Sequence, residues 1–476
     1  MRPLNDTMKH AVNEKPPGEV LRGASFASLE GSAITPAAKK LVDVLNERVV
    51  AQVTLQEAET STKKTNRAKL KKAVEAFLAD LLMAQIGKEP KRWVYRALKP
   101  ERFTGAPVGY RVFMPLQEAL RELGLVEHSP GVVQWTSGFG QGDQPGPAGL
   151  VANRWAARFG ATPELLKIST AHGVPPSKAS DHFDFGLPKQ PLQKRAASKR
   201  DAYGNKARGK VMKFDHTKAS LKLEADVFEM NEYLAKQSIE GGVHRGYVRI
   251  FQNGNHSAFD WNFGGRLYSQ PAGDTNYQQQ KGTQRRRMTI NGAPVVEIDI
   301  RASYLTIFHA WHGVQLDRDA DPYVIRGLGE AGRDVVKLWM VATFGNTEPL
   351  TRWPRELIKD YNENHRVPLD RKRFSVANIR EKVVAQYPLV ARWGKPFNGR
   401  IRTWADLMFD ESRVVIDTML FLMRKDDIPS LAVHDSIIVP QTQADVAAMV
   451  LRAVFWGHLK VMPLVKINPP TTKRSR

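Results

Sequence analysis

Two aspartates interrupt apolar runs in the C-terminal half of the chain. Asp299 ends the apolar run of APVVEIDIRASYL, and Asp435 stands at the centre of LAVHDSIIVP. A buried carboxylate is costly unless it is paired or bound to a metal ion. Two strand-end aspartates that are far apart in sequence are what a two-metal phosphoryl-transfer site needs, since both carboxylates can hold Mg²⁺. The pair therefore predicts metal-assisted phosphoryl transfer.

The elements that must position these aspartates follow from the apolar pattern. The run 295–298 predicts a buried strand that ends at Asp299 and is followed by a helix. Residues 431–433 and 437–439 predict the two strands of a hairpin with Asp435 at its polar tip. Both carboxylates would then be accessible while their strands stay buried. The structural alternatives are a helix N-cap or turn residue at Asp299 and a salt-bridged structural residue at Asp435.

A third stretch, AGRDVVKLWMVATFGN, predicts a helix with two cations on one face. Arg333, Lys337 and Phe344 fall within about 40° of one another at about 100° per residue. Two cations suit the phosphates of a nucleoside triphosphate, and an aromatic ring suits its base. Gly345 then permits close approach of a backbone or a base. The alternative is a basic solvent-facing helix with Phe344 in the core.

A fourth stretch, FDWNFGGRLYSQ, contains a glycine turn followed directly by a cation. Gly264 and Gly265 mark the turn, and Arg266 comes next. An ordinary turn beside a solvated arginine is the alternative.

In chain order, these four stretches resemble motifs of the single-subunit polymerases, which join the family A DNA polymerases with the phage T7-like RNA polymerases. GGRLY resembles the D-x-x-G-R element, EIDIRASYL motif A, RDVVKLWMVATFG motif B and LAVHDSIIVP motif C. The trio His-Asp-Ser is the T7-like RNA polymerase form, whereas family A DNA polymerases usually carry His-Asp-Glu. The resemblance spans residues 260–440, about two-fifths of the chain.

The resemblance implies a metal pair and a nucleotide site. Asp299 and Asp435 would be the catalytic residues that bind Mg²⁺, with Mn²⁺ as an alternative. Arg333 and Lys337 would hold the triphosphate, and Phe344 would contact the nucleotide.

The resemblance also implies contacts with the nucleic acid. His434 and Arg266 would touch the growing end, and Gly345 would lie against the nucleic acid. Glu411, in the apolar helix ESRVVIDTMLFLM, is expected to support the site.

The chain departs from the family pattern in three respects. The interval from Lys337 to Phe344 is one residue shorter than the usual lysine-to-Tyr-Gly interval, so one of these two assignments is in doubt. Tyr304 stands where DNA polymerases of the family place a Glu that blocks the ribose 2′-OH and T7-like RNA polymerases have Gly. A tyrosine there fits a gate that favours dNTPs or a hydrogen bond to the ribose, so sugar choice stays open. The chain is also short for the T7-like class, and its N-terminal half contains no exonuclease carboxylate set.

Composition favours a polyanionic partner. The chain has 476 residues and a formal net charge of +22, with a sequence pI near 9.9. Such a balance favours nucleic acid binding. The absence of cysteine excludes disulfides and thiolate metal sites. No apolar run approaches a membrane span and no signal peptide is evident, so we expect a soluble, intracellular, cytoplasmic protein without a membrane partner.

The pattern along the chain predicts four segments. Residues 1–34 are expected to be a mobile N-terminal segment and 35–180 a mainly helical nucleic-acid-binding region. Within that region LRELGLVEH resembles the recognition helix and wing entry of winged-helix domains. Residues 181–220 are expected to be a basic linker. Residues 221–470 are expected to form an α/β or α+β palm-and-fingers catalytic domain.

The leading hypothesis is a template-directed DNA or RNA polymerase, with a primase as one form of it, that serves replication of a phage, plasmid or other mobile element. Its partners would be a DNA template, most simply single-stranded, NTP or dNTP, and a primer strand if one is needed. A non-enzymatic DNA-binding replication initiator or regulator is the alternative. A metal-dependent phosphohydrolase built on His434, Asp435, His309 and His312 is a third hypothesis, although its remaining ligands cannot be placed.

Overall fold

The structure is a computed structural model. It describes residues 24–60, 64–86, 92–103, 106–131, 133–137, 150–154, 156–200, 206–207, 209–270, 276–317 and 319–471. The chain divides into two compact units. Among the described residues, the first unit comprises those up to 187 and the second comprises those from 188 onward.

The first unit combines five helices with eight short strands in the described part of the chain. Its helices are α1 (Pro36–Thr60), α2 (Arg67–Met83), α3 (Tyr110–Glu122), α4 (Pro163–Ala171) and α5 (Ala179–His182). Its strands are β1 (Ser25–Phe26), β2 (Ser32–Ala33), β3 (Trp93–Arg96), β4 (Val126–Ser129), β5 (Val133–Ser137), β6 (Leu150–Arg154), β7 (Ala157–Ala161) and β8 (Phe183–Asp184). The main sheet has the order β1-β3-β7-β4, and β5 pairs with β6 as a hairpin.

The core of the first unit forms where helices α2 and α3 pack on strand β7. Asn66 caps α2 by accepting a hydrogen bond from the Lys69 N–H. The rings of Phe77, Phe113 and Phe159 meet edge to face, with centroids 5.0 to 5.7 Å apart. Edge-to-face contact adds to the hydrophobic stabilisation of buried rings. These rings come from three separate elements and hold the unit together.

The N-terminal segment differs from the prediction in its described part. Residues 1–23 lie outside the described residues. Residues 24–34 include β1 and β2, and both Ala27 and Leu29 are fully buried. The composition of the segment is polar, but these two apolar side chains are enough to dock it on the core.

The second unit contains the remaining described elements. Its helices are α6 (Lys218–Leu234), α7 (Gly282–Arg285), α8 (Ser303–Trp311), α9 (Gly329–Phe344), α10 (Arg355–Asn364), α11 (Val376–Gln386), α12 (Trp404–Asp426) and α13 (Ala444–Leu459). Its strands are β9 (Leu192–Arg195), β10 (Lys199–Arg200), β11 (Lys206–Ala207), β12 (Val211–Met212), β13 (Ile239–Glu240), β14 (Tyr247–Phe251), β15 (Gly264–Ser269), β16 (Thr289–Ile290), β17 (Ala293–Ile300), β18 (Pro396–Phe397), β19 (Arg400–Ile401), β20 (Leu431–Val433), β21 (Ser436–Pro440) and β22 (Val465–Asn468). The mixed α/β fold class predicted from the sequence is confirmed.

The central sheet of this unit is antiparallel around strand β17. Its order is β13-β16-β17-β21-β20, and β22 also pairs with β17. Val295, Val296 and Ile298 of β17 are buried, as are all five residues of β21. Strands buried on both faces explain the continuous apolar runs of the sequence. The one buried carboxylate inside β17, Glu297, is paired with Arg285 at 2.7 Å.

Helix α12 begins at a capping box. The Thr403 side chain accepts a hydrogen bond from the Ala405 N–H, and the Thr403 N–H donates to Asp406 at 2.8 Å. The helix packs on β15. This packing brings the buried carboxylate of Glu411 toward the Gly264–Arg266 turn.

The predicted basic linker is not a linker in the described residues. Residues 192–195 and 211–212 form strands of the sheet β12-β9-β14-β15. Leu192 is buried and belongs to the core of the unit. The sequence suggested a linker because cations outnumber apolar residues in this segment. In the fold, strand β14 supplies the β-strand pairing that the segment lacks on its own.

No helix in the described part of the chain has both the length and the apolar character required to cross a membrane.

Candidate active site

Asp299 and Asp435 lie beside each other at the end of the central sheet. Asp299 pairs across the strands with Ser436, the residue that follows Asp435. Asp435 sits in the two-residue loop between β20 and β21, and its carbonyl accepts the Ile300 N–H at 3.2 Å. Neighbouring strands run about 5 Å apart. The structure therefore brings together the two carboxylates that the sequence paired.

Burial and mutual repulsion raise the pKa values of both aspartates. Burial, then the negative charges of Glu411 and Asp299, raise the pKa of Asp435 to about 8, while Arg266 opposes the shift. Burial and Glu297 raise the pKa of Asp299, against the cations Lys337 and Lys466. Like charges in one partly dehydrated site disfavour ionisation. A bound cation would relieve that repulsion.

Glu411 anchors a buried network beside Asp435. Arg266 donates to it from Nε at 2.8 Å and from Nη2 through a shorter contact. The Ser303 hydroxyl donates to its other oxygen at 2.6 Å. Arg266 Nη2 also donates to the Tyr304 hydroxyl at 3.2 Å. The network fixes the Arg266 side chain and holds Tyr304 at the start of helix α8.

Three turns around the site use left-handed backbone. Gly264 and Gly265 have φ of +78° and +80°, and a Cβ on Gly265 would lie 3.0 Å from the ring of Phe251. Ala302 and His434 adopt φ of +48° and +53° although they are not glycine. Such conformations are costly for side chains with a Cβ and concentrate at functional sites. These three turns direct Arg266, helix α8 and Asp435 toward the candidate site.

His434 stands at the tip of the β20–β21 hairpin. Its ring surface is exposed, yet the surrounding protein and the guanidinium of Arg266 hold its pKa below the ordinary value. The imidazole is therefore neutral near pH 7 and can donate one hydrogen bond and accept another. At this position His434 is suited to contact the end of a nucleic acid strand that lies over Asp435.

Helix α9 presents its cations toward the carboxylate pair. Arg333 donates to Asp321 at 2.9 Å, whereas Lys337 is exposed and acts electrostatically on Asp299. The Tyr323 ring lies under both cations, with its centroid 5.7 Å from the guanidinium carbon and 6.0 Å from the ammonium. Burial and the charges of Asp435 and Asp299 raise the pKa of Tyr323. Tyr323 therefore stands between the carboxylates and the helix.

Phe344 does not share the cationic face, which corrects the prediction of a base-contacting ring. It is 1% exposed, and its ring packs against Phe308 and Trp393 at 5.6 and 5.1 Å between centroids. At the C-terminal end of α9, the rings of Phe308 and Trp393 cover the helix face that the helical angles predicted to be exposed to solvent. Val341, one turn after Lys337, is 54% exposed. Val341, and not Phe344, therefore extends the helix face that carries the two cations.

Gly345 follows the last residue of helix α9. It is exposed and has φ of −78°, a conformation open to any residue. An added Cβ would lie 3.1 Å from the Val341 carbonyl oxygen. Its small size matters for that close packing more than for backbone freedom.

Four polar residues of the site were not singled out by the sequence. Tyr323 and its neighbour Asp321 lie in the loop before α9, Ser303 starts α8, and Lys466 on β22 is paired with Asp299. Ser303 follows motif A at once and could have been found by proximity. The others required knowledge of which loop and strand fold back onto β17.

The histidines of the phosphohydrolase hypothesis are part of helix packing. His309 is buried, and its Nδ1 lies 2.9 Å from the Leu305 carbonyl oxygen; His312 makes the same contact with Phe308 at 3.0 Å. Within the described ranges no group of three or more His, Asp or Glu side chains is arranged to hold a metal ion. The observed contacts do not favour that hypothesis.

Comparisons with known proteins add little to this geometry. No family model matches the chain, and no curated protein matches it. One similar solved structure is the POL domain of Pol1 from M. smegmatis in complex with DNA primer-template and dNTP. The match is 11% identical, covers 95% of this chain and 68% of that chain, and has a TM-score of 0.26. A similarity this weak does not establish a common fold.

Proposed function

We propose that this chain is a metal-dependent, template-directed nucleotidyltransferase of the single-subunit polymerase type. The observation that carries the proposal is that Asp299 on β17 lies beside Asp435 in the β20–β21 loop, with Lys337 of α9 acting electrostatically on Asp299. In this proposal the sheet around β17 is the palm and α9 is the fingers helix. The proposed role is in the replication of a phage or other mobile element.

The oxygen donors of the pair fit Mg²⁺. Mg²⁺ is commonly held by one or two carboxylates together with substrate phosphates and water, so a full protein cage is not required. Asp299 and Asp435 would hold the ions, and the raised pKa of Asp435 reflects a site that gains from added positive charge. When bound, the ions would supply Lewis-acid activation of the attacking hydroxyl and stabilise the leaving pyrophosphate.

The triphosphate would lie along helix α9. Lys337 is exposed beside Asp299 and would neutralise the phosphates. Asp321 holds the Arg333 guanidinium in place, and the ring of Tyr323 supports both cations from below. Val341 offers an apolar surface one turn further along for the nucleotide or the adjoining base pair.

The primer terminus and the sugar would meet the Glu411 network. His434 directly precedes Asp435 at the hairpin tip, and Arg266 is oriented by Glu411. Tyr304, held through its hydroxyl, would act on the ribose. Substitution of Tyr304 separates two modes. Tyr304→Phe keeps a steric gate but loses a hydrogen bond, whereas Tyr304→Gly removes both, so the NTP-to-dNTP incorporation ratio of the two variants identifies the mode.

The reaction would join two nucleotides with release of pyrophosphate. The attacking hydroxyl oxygen forms a bond to the α-phosphorus while the bond from that phosphorus to the β-phosphate bridging oxygen breaks. The hydroxyl proton leaves to solvent, and the cations of α9 hold the pyrophosphate. The protein contributes chiefly position and charge, which dominate phosphoryl transfer.

The first unit would contribute to nucleic acid binding. Helix α3 leads directly into β4 of a sheet in which β7 lies between β3 and β4, and the β5–β6 hairpin lies between β4 and β7 in sequence. This order supports a winged-helix-like module with α3 as the recognition helix. Arg111 and Arg121 are exposed on that helix.

The test is nucleotide incorporation on single-stranded DNA with and without a primer, in Mg²⁺ or Mn²⁺, with labelled NTPs and dNTPs offered separately. We expect Asp299→Asn and Asp435→Asn to lower incorporation by at least about 10³-fold without loss of DNA binding. Asp360→Asn on the exposed face of α10 is the matched control. Wild-type rates in both site variants would overturn the proposal. DNA binding without incorporation by any form would favour the non-enzymatic initiator.

A further inference from the structure

The most cationic stretch of the chain is residues 189–213, here named the basic ribbon. Its 25 residues contain nine Lys or Arg and a single carboxylate, Asp201, a local net charge of +8. One carboxylate can neutralise only one of these cations. Cations held this close repel one another within the screening length of about 8 Å at physiological salt. A polyanionic partner would remove that repulsion.

The described strands of the basic ribbon are antiparallel, and residues 201–205 and 208 lie outside the described residues. Strand β9 pairs with β12, the Ala196 N–H donates to the Lys210 carbonyl at 2.9 Å, and β10 pairs with β11 further out. Its base is tied down by two contacts, from the Gly254 N–H to the Arg195 carbonyl at 2.7 Å and from the Ala197 N–H to Asn255 at 2.7 Å. The described strands of the ribbon are therefore attached to a folded sheet.

Cations of the basic ribbon divide into those that hold its base and those that face water. The Lys194 ammonium lies 4.7 Å from the ring centroid of Phe259, and Arg195 donates to Gln193 at 2.7 Å. Three lysines, by contrast, are exposed along the base of the ribbon: Lys189, Lys210 and Lys213. Ammonium groups of this kind are available to phosphates.

The basic ribbon starts close to the candidate active site. Arg266 on β15 is paired with Ile250 on β14, and Ile250 is paired with Gln193 on β9. Two strand spacings amount to about 10 Å. A nucleic acid whose end lies at Arg266 would therefore pass near the ribbon.

We propose that the basic ribbon binds the phosphate backbone of duplex nucleic acid leaving the site. A duplex is a regular, stiff polyanion, and its major groove admits a two-stranded β-ribbon. The position of the duplex rests on the proposed function, since only a template-directed enzyme produces a duplex at Arg266. The ribbon's affinity for phosphates does not depend on catalysis.

The test is fluorescence anisotropy of a labelled DNA hairpin duplex with the full-length protein, across a salt series and without nucleotide or added metal. The variant is K189Q/K210Q/K213Q. The control K218Q/K222Q/K236Q removes the same charge from exposed positions on and just after α6. We expect the ribbon variant to bind about tenfold or more weakly, with a log-log salt slope shallower by about 1 per lost phosphate contact. The control should change affinity less than about twofold.

Two further arms separate folding and catalysis from binding. The charge-preserving variant K189R/K210R/K213R should bind as the wild type does, so a loss there would indicate a folding effect and overturn the proposal. In the Asp435→Asn background the ribbon effect should be unchanged even if incorporation is absent from every form. The proposal would also be overturned by equal losses of duplex affinity in the ribbon and control variants, or by a loss of affinity for single-stranded DNA alone.

Discussion

Each unit contains a carboxylate whose pKa is raised by burial, yet the two carboxylates have different surroundings. In the first unit Asp80 accepts hydrogen bonds from the Ser28 hydroxyl at 3.1 Å and the Leu29 N–H at 2.7 Å. Arg96 lies close enough to favour its ionised form. Among the described side chains near Asp435, by contrast, two carboxylates, Glu411 and Asp299, oppose ionisation, and Arg266 offsets them only in part.

This difference separates the structural acid Asp80 from Asp435, the acid that we propose to bind metal. The partners of Asp80 satisfy it within the protein, so it ties the segment around Leu29 to helix α2. Asp435 lies among groups that destabilise its charge, and it is only half-buried. A raised pKa alone therefore does not identify a site, whereas neighbouring like charges that add to burial make a site that a bound cation would stabilise.

The largest expected effect is the pH dependence of the first unit. Burial raises the pKa of Asp80 to about 7, so between about pH 4 and 7 the folded unit keeps a proton that the unfolded chain releases. The stabilisation is full below pH 4 and is lost as pH rises through 7, amounting to at most about 4 kcal/mol in the free energy of unfolding. Asp80→Asn should flatten this dependence.

The measurement uses the absence of native cysteine. A single Ala73→Cys reporter in the first unit and Ala447→Cys in the second, both fully buried positions, allow urea midpoints to be read from thiol labelling in the intact chain. Stability of the first unit that rises between pH 5 and 8 would contradict the assignment of Asp80 as a mainly protonated structural acid.

The next effect concerns Arg96, the cation of the structural site. Its guanidinium donates to the carbonyls of Ala27 at 2.5 Å, Ser28 at 3.4 Å and Arg102 at 3.3 Å. Arg96→Met would leave buried acceptors unpaired, and we expect the free energy of unfolding of the first unit to fall by about 3 kcal/mol. Arg111→Met, on the exposed face of α3, is the control and should cost less than about 0.5 kcal/mol. Equal midpoints for the two variants would show that the guanidinium does not hold this segment.

A smaller effect of opposite sign is expected at Asp435. Replacing it with Asn removes a charge that burial, Glu411 and Asp299 all disfavour. The free energy of unfolding of the second unit should rise by about 1–2 kcal/mol above pH 8, where Asp435 is ionised, and the gain should shrink below pH 7. Thiol labelling of the Ala447→Cys reporter measures it. A variant less stable than the wild type at pH 9 would place Asp435 with Asp80 as a structural residue.

The sequence predicted the carboxylate pair because apolar runs leave few places for an acid. Asp299 and Asp435 had to lie at strand ends, and the hairpin left only its tip for Asp435. Helical angles also grouped Arg333 with Lys337 correctly on one exposed side. They misplaced Phe344 because the angle between residues on a helix does not reveal which face another element covers. Here Phe308 and Trp393 cover it, and both are distant in sequence.

The same limit explains the basic ribbon and Tyr323. The ribbon was expected to be a linker because its pairing partner, β14, lies more than 50 residues away and cannot be recognised from local composition. Tyr323 lies in a loop without periodicity, and its role depends on the cations of α9 folding over it. Contacts between residues far apart in sequence determine the pairing of the ribbon and the role of Tyr323. Strand and helix patterns, by contrast, depend on residues that are near one another in sequence.

The smallest expected effect is at His434, and Leu29, which also has left-handed backbone, provides the comparison. Leu29 and His434 have φ of +61° and +53°, beside Asp80 and Asp435 respectively. Glycine relieves left-handed strain of about 1 kcal/mol at either position. His434 is exposed, so His434→Gly should stabilise the second unit by about 0.5 kcal/mol after the entropy that glycine adds to the unfolded chain. Leu29 is fully buried, so Leu29→Gly should instead destabilise the first unit by about 2 kcal/mol or more.

Urea midpoints from the two cysteine reporters measure both changes. Opposite changes in the free energy of unfolding at nearly equal φ would mean that Leu29 is retained for packing. They would also mean that the His434 side chain adds no stability that offsets the strain of its backbone. Strain of that kind is expected where a side chain is kept for contact with a ligand. A loss of stability in His434→Gly as large as that in Leu29→Gly would instead assign His434 a structural role in the hairpin.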